Sequence, residues 1–186
     1  MKPSLKRFFL HNGAAQRGYT LVELIVAVGL FAFVMTIAAG SYLTMIGLNE
    51  RTQGLVSGIN NLSSALESMT RSIRTGYGYN CAGLGDCSSG ASSLSFTNAS
   101  GQAVTYTLGT QTGRNGTVGD ITANGSPLTD PSVDITDLTF YVFGSSSADE
   151  NQARITISVS GTVTVGPGKT EPFTIETGAT MRGTDI

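Results

Sequence analysis

From Leu24 to Asn49 the chain carries no charged side chain, and Leu, Ile, Val, Ala, Phe, Met and Gly fill most of that run. A segment with no polar face cannot settle on the surface of a soluble domain; it belongs in a bilayer or against other apolar surface. As an α-helix it would be about 39 Å long, against roughly 30 Å of bilayer hydrocarbon. Thr36, Ser41 and Thr44 interrupt the run, and each can return a hydrogen bond to the helix's own carbonyls. Lys2, Lys6, Arg7 and Arg17 precede it, with no acid among them. That imbalance predicts a cytoplasmic N-terminus and export of everything after Asn49. A conventional secretory signal has a shorter apolar core followed by small residues at its cut site. Here the run is too long, and nothing like A-x-A follows it.

Glu23 stands alone at the entrance to this run. A carboxylate at the bilayer centre costs about 2.5–3.5 kcal/mol on insertion scales, and less near an interface. The bland account is a helix start, where the macrodipole favours an acid and headgroups wet it.

Gly18-Tyr19-Thr20-Leu21-Val22-Glu23, behind its basic leader, resembles the class III signal of type IV pilins and type II secretion pseudopilins. The resemblance implies that a prepilin peptidase cuts after Gly18 and that the new amine of Tyr19 is methylated. Phe or Met is commoner at that place. It further implies that Glu23, fifth in the mature chain, pairs with the amine of a neighbouring subunit and sets register during assembly. The partners implied are the peptidase, other pilin or pseudopilin subunits and the inner-membrane assembly platform. Processing would divide the chain into a leader over 1–18, a membrane and filament-core helix over 19–49, an amphipathic continuation over 50–76 and an extracytoplasmic head over 77–186.

Leu55, Ile59, Leu62, Leu66, Met69 and Ile73 recur at alternating spacings of four and three, the period of one helical face. Thr75-Gly76 and Tyr77-Gly78 end the helix. Beyond them the chain reads as β. Leu94–Thr97 and Val104–Leu108 alternate around the turn Asn98–Gly101. Ile135–Phe143 is the richest strand. Ala153–Val165 has apolar or small residues at every odd position, Gly161 among them, and Phe173–Met181 forms the last run. Between Gly109 and Pro131, Gly, Thr, Asn and Asp predict loops with one short strand near Asp120–Ala123. The fold class expected is α+β and pilin-like: a long N-terminal helix covering one face of an antiparallel sheet.

Cys81 and Cys87 flank a five-residue spacer, and outside the cytoplasm such a pair predicts a disulfide that fixes the crossing from helix to sheet. A redox pair would want C-x-x-C, and zinc would need more ligands. The only histidine, His11, lies in the leader, so the mature chain has no imidazole for a catalytic triad or a metal. No enzyme, cofactor or small-molecule substrate is expected. Asp130, Asp134 and Asp137 lack the spacing of a calcium loop and read as a turn and polar positions at a strand start. Asn61, Asn98, Asn115 and Asn124 open N-x-[ST] triplets of the kind a Gly/Ser/Thr-rich chain produces by chance.

The chain has 11 basic and 13 acidic residues; without the four cations of the leader it keeps 7 and 13, a formal charge of −6. Direct nucleic-acid binding, which wants clustered cations, is not expected. Val104–Leu108, Arg114, Asp134–Tyr141 and the terminal Ala179–Gly183 resemble the J/W type of minor pilin, which implies a place at or near a filament tip. The same residues fit a pilus, a secretion pseudopilus and a DNA-uptake filament equally. The competing expectation, from another class, is an extracytoplasmic binding protein that uses residues 24–49 only as a signal anchor.

Overall fold

The computed structural model describes residues 18–83, 85–113, 116–145 and 151–182. The leader cations, His11, Arg114 and Asn115 lie outside them. One helix, α1 (Leu21–Arg74), is followed by nine strands: β1 (Tyr77–Cys81), β2 (Cys87–Ala91), β3 (Ser93–Thr97), β4 (Ala103–Gly113), β5 (Gly116–Ala123), β6 (Ser126–Pro127), β7 (Val133–Phe143), β8 (Arg154–Gly166) and β9 (Lys169–Thr180). The chain divides after Met45 into two compact units.

In the first unit α1 has no tertiary partner among the described residues, and its large apolar side chains are exposed, Phe31 at 63% and Leu43 at 69%. The helix passes through Gly29 and Gly40 without a break, and a Cβ at either would meet nothing within 4 Å. Thr36 and Thr44 donate to the carbonyls of Ala32 and Gly40 at 2.8 and 3.1 Å. Their hydroxyls are thereby satisfied without leaving the helix.

The second unit holds the rest of α1 and both sheets. Leu62, Leu66, Met69 and Ile73 are buried, while Leu55 and Ile59 are half-buried, as the helical spacing predicts. The sheet differs from expectation. Instead of one there are two, both antiparallel: β1-β3-β4-β5-β6 and β2-β7-β8-β9. Leu94, Phe96, Tyr106 and Ile121 come from the first, Phe140, Ile155, Ile157 and Val159 from the second, and all join the helical stripe in one core. β8 buries every odd position from Ala153 to Val165, as its alternation predicts. The short strand expected near Asp120–Ala123 is the end of β5, and the residues expected to loop before it belong to a long β4–β5 hairpin, paired from Tyr106↔Ala123 to Gly113↔Gly116. Its Thr- and Gly-rich strands pair through their backbones with little apolar alternation to announce them.

Glycines set the closest approaches. A Cβ at Gly58 would lie 2.2 Å from Val163 Cγ1, and one at Gly54 2.8 Å from Val165 Cα, so the helix backbone comes against the end of β8. In β7 the ladder shifts between Ile135 and Asp137, and Gly161 is the residue opposite. A Cβ at Gly161 would fall 2.2 Å from the Asp134 carbonyl oxygen; the bulge needs that space. At the C-terminus of α1, Tyr79 donates its hydroxyl to the carbonyls of Ile73 and Gly76, and the Arg182 N–H donates to the Arg74 carbonyl at 2.9 Å. Carbonyls at the helix end are thus satisfied from β1 and from the segment that follows β9. Burial pushes the Tyr79 hydroxyl up to about 12.

Cys81 and Cys87 form the expected disulfide, with Cα atoms 6.0 Å apart. Its role differs from the expected one. Cys81 ends β1 and Cys87 begins β2, the edge strands of different sheets, so the bridge joins sheet to sheet. Asp120 is buried, and its Oδ1 has no hydrogen-bond partner among the described residues. It lies across the β4–β5 ladder from Gly109, where a Cβ would come 2.8 Å from that oxygen. Burial raises its pKa.

Four outcomes follow for the purified full-length protein in detergent. Gly58→Ala gains up to about 1 kcal/mol in helix propensity but overpacks the contact with Val163 by about 1–3 kcal/mol, a net loss. Gly29→Ala, with nothing to meet, should be neutral or stabilising; denaturant titration of the two variants checks both. Cys81→Ser/Cys87→Ser should cost about 2–3 kcal/mol by loop entropy, read in the same titration. Because the pKa of Asp120 is raised on folding, its contribution is present below the unfolded-state pKa and lost as pH rises through the folded-state one. Unfolding midpoints between about pH 4 and pH 8 should therefore fall less steeply toward neutrality in Asp120→Asn than in the parent. Equal slopes would contradict this.

Candidate processing and assembly site

The residues singled out at the N-terminus meet at the start of α1. Thr20 is the N-cap: its Oγ1 accepts the Glu23 N–H at 3.2 Å, and its carbonyl accepts the Leu24 N–H at 3.1 Å. The side-chain oxygen occupies one of the donors that a helix start leaves open. Helical geometry therefore begins at Leu21 and leaves Gly18 and Tyr19 outside the helix, Tyr19 being 85% exposed. Thr20 was missed as a functional residue. The pattern T-x-x-E before an apolar run is a capping signature visible in the sequence.

Gly18 itself is not required by the fold. Among the described residues a Cβ there would meet nothing within 4 Å. A peptide bond that is exposed, outside the helix and without bulk on its N-terminal side is open to a protease cleft. Glu23 lies in the first turn of α1, exposed, where the helix dipole favours an acid. Among the described residues its carboxylate has no cationic partner; the two ion pairs there are Arg51–Glu171 and Arg71–Glu67. Immediately beyond it the exposed apolar helix begins, long and apolar enough to cross a membrane.

The other candidate residues do not join this site. Asp130 Oδ1 accepts the Ser132 N–H at 2.8 Å, an Asx turn. Asp134 Oδ1 accepts the Gly119 N–H at 2.7 Å and so ties β5 to β7. Asp137 Oδ2 accepts the Thr139 hydroxyl at 3.1 Å. Each acid is engaged locally, and among the described residues none forms part of a metal-sized cluster. Asp86, next to Cys87, holds the hydroxyl of Ser145 and the N–H groups of Ser145 and Gly144, which together lower its pKa.

Chemically, the N-terminal arrangement offers an exposed glycyl bond, a capped helix start, a carboxylate with no cationic partner among the described residues and a rod of apolar surface. No curated protein and no solved structure matches the chain. Residues 13–39 match the family described as the prokaryotic N-terminal methylation motif, and with it the chain carries the class III signal of type IV pilins and pseudopilins.

Proposed function

We propose that this chain is a minor pilin or pseudopilin: a structural subunit, not an enzyme, that assembles through α1 into a type IV pilus or a type II secretion pseudopilus. A prepilin peptidase cuts after Gly18, and the amine of Tyr19 is methylated. Residues 24–49 hold the subunit in the inner membrane, with the leader cytoplasmic and the head extracytoplasmic, until the assembly platform moves it into a filament at or near the tip. The observation that carries this reading is Glu23, without a cationic partner among the described residues, at the mouth of an exposed apolar helix and within a matched methylation motif. A charge so placed gains most from a cation that arrives with a second subunit, and the free amine of a cleaved Tyr19 is such a cation. The stripe of exposed apolar side chains then exchanges lipid for the helices of neighbours, where packing and small residues govern association.

Two measurements test the proposal. Intact mass of the protein from cells with an active prepilin peptidase should give a chain beginning at Tyr19 and heavier by one methyl group; a retained leader contradicts it. Glu23→Gln keeps the size of the side chain and removes the charge. It should leave cleavage and the unfolding midpoint as they were and reduce incorporation into sheared filaments at least tenfold, the ratio that about 1.4 kcal/mol of lost pairing gives. Undiminished incorporation would return the helix to the role of a simple anchor.

A further inference from the structure

Three of the mature chain's seven basic residues, Arg71, Arg74 and Arg182, line one open groove of about 510 Å³ with Glu67, Thr70 and Thr75. The helix dipole accounts for Arg71 and Arg74, which lie in the last turn of α1. It does not account for Arg182, which arrives after β9 and is fixed there by its backbone bond to the Arg74 carbonyl at 2.9 Å. Glu67 is the one acid among the lining residues, and it is paired with Arg71 at 2.8 Å. Among the described residues, the guanidinium groups of Arg74 and Arg182 have no ion pair. Three exposed cations thus converge from two elements of a chain whose mature charge is −6, with a single carboxylate between them among the described residues.

We infer that this groove is an interaction surface for an acidic segment of an adjacent filament subunit, held by guanidinium–carboxylate pairs; the inference rests on the filament reading above. Charge complementarity selects the partner. Guanidinium forks match carboxylates in geometry, and copies of a −6 chain present acids in excess. A nucleic acid would recruit a longer track of cations than three, since its affinity grows with each phosphate neutralised. The Thr70 and Thr75 hydroxyls donate to helix carbonyls, so the guanidinium groups are the side-chain donors the groove offers a carboxylate. Such a pair set would fix the rotational register of one head against the next, as charged rims do at protein interfaces.

The test uses the full-length chain in cells that assemble the filament, with a photo-crosslinking residue in place of Thr75. The adduct should map by mass spectrometry to an Asp/Glu-bearing segment of a second copy or of another subunit with a methylation motif. Arg74→Glu/Arg182→Glu should lower its yield about tenfold, and Arg74→Lys/Arg182→Lys should retain most of it. Proteolytic resistance of the double variant confirms its fold; if it is lost, Arg182→Glu alone, at an exposed side chain, takes its place. An adduct indifferent to charge reversal, an adduct to nucleic acid, or no adduct would each overturn the inference. The N-terminus of the same protein is read in parallel. A retained leader condemns the filament reading, whereas a chain starting at methylated Tyr19 with no charge-dependent adduct condemns only the groove.

Discussion

The organisation of this protein depends on a single helix meeting two kinds of surroundings along its length. Up to Leu48 the sequence offers α1 no polar face, and its apolar side chains are exposed all round. From Leu55 onward the apolar residues are confined to one stripe, and Leu62, Met69 and Ile73 reach complete burial. A helix that is apolar all round wants hydrocarbon or other helices; one with a stripe wants a core. The change of pattern, with no change of secondary structure, lets one element serve as both anchor and core.

The head is shaped by what that stripe requires. Two sheets contribute to one core with α1, and each pair of strands is antiparallel. Two sheets sharing a core need ties at their margins, and two kinds are present. At one margin the Cys81–Cys87 disulfide links edge strand to edge strand. Elsewhere β5 approaches β7 so closely that a Cβ at Gly119 would lie 2.0 Å from the Ile135 carbonyl oxygen, and Asp134 accepts the Gly119 N–H. A covalent tie and a glycine contact do the same work because both remove the freedom of one sheet to slide past the other.

How much of this was legible in the sequence depended on whether a feature is local. The helical stripe and the β8 alternation follow from the period of the element itself, so the spacing of Leu62, Met69 and Ile73 and the odd positions from Ala153 to Val165 announced their own burial. The division into two sheets did not announce itself, because strand alternation says which face is buried and nothing about which strand lies alongside. For the same reason the pairing of the cysteines was readable while its structural role was not. The β4–β5 hairpin escaped because Thr110, Thr112 and Thr117 carry none of the apolar alternation by which strands are found. Thr20 was legible as a helix cap and was overlooked beside the more conspicuous Gly18 and Glu23.

A physical distinction separates the residues that serve the fold from those that serve something outside it. Gly54, Gly58, Gly119 and Gly161 each stand where a Cβ would collide with a neighbouring residue, so the fold explains why they are glycine. Gly18 meets nothing, Glu23 pairs with nothing among the described residues, and the apolar side chains beyond them cover nothing. Residues of such specific chemistry, clustered within one short segment and without a role among the described residues, are the ones the proposed reading assigns to other molecules. On that reading, Gly18 serves a molecule that handles the backbone, since hydrogen in place of a side chain matters only to something that must come close to it. On the same proposed reading, Glu23 serves a cation that appears once that handling is complete, because a permanent partner supplied by the chain itself would leave a second subunit no electrostatic reason to bind at that register.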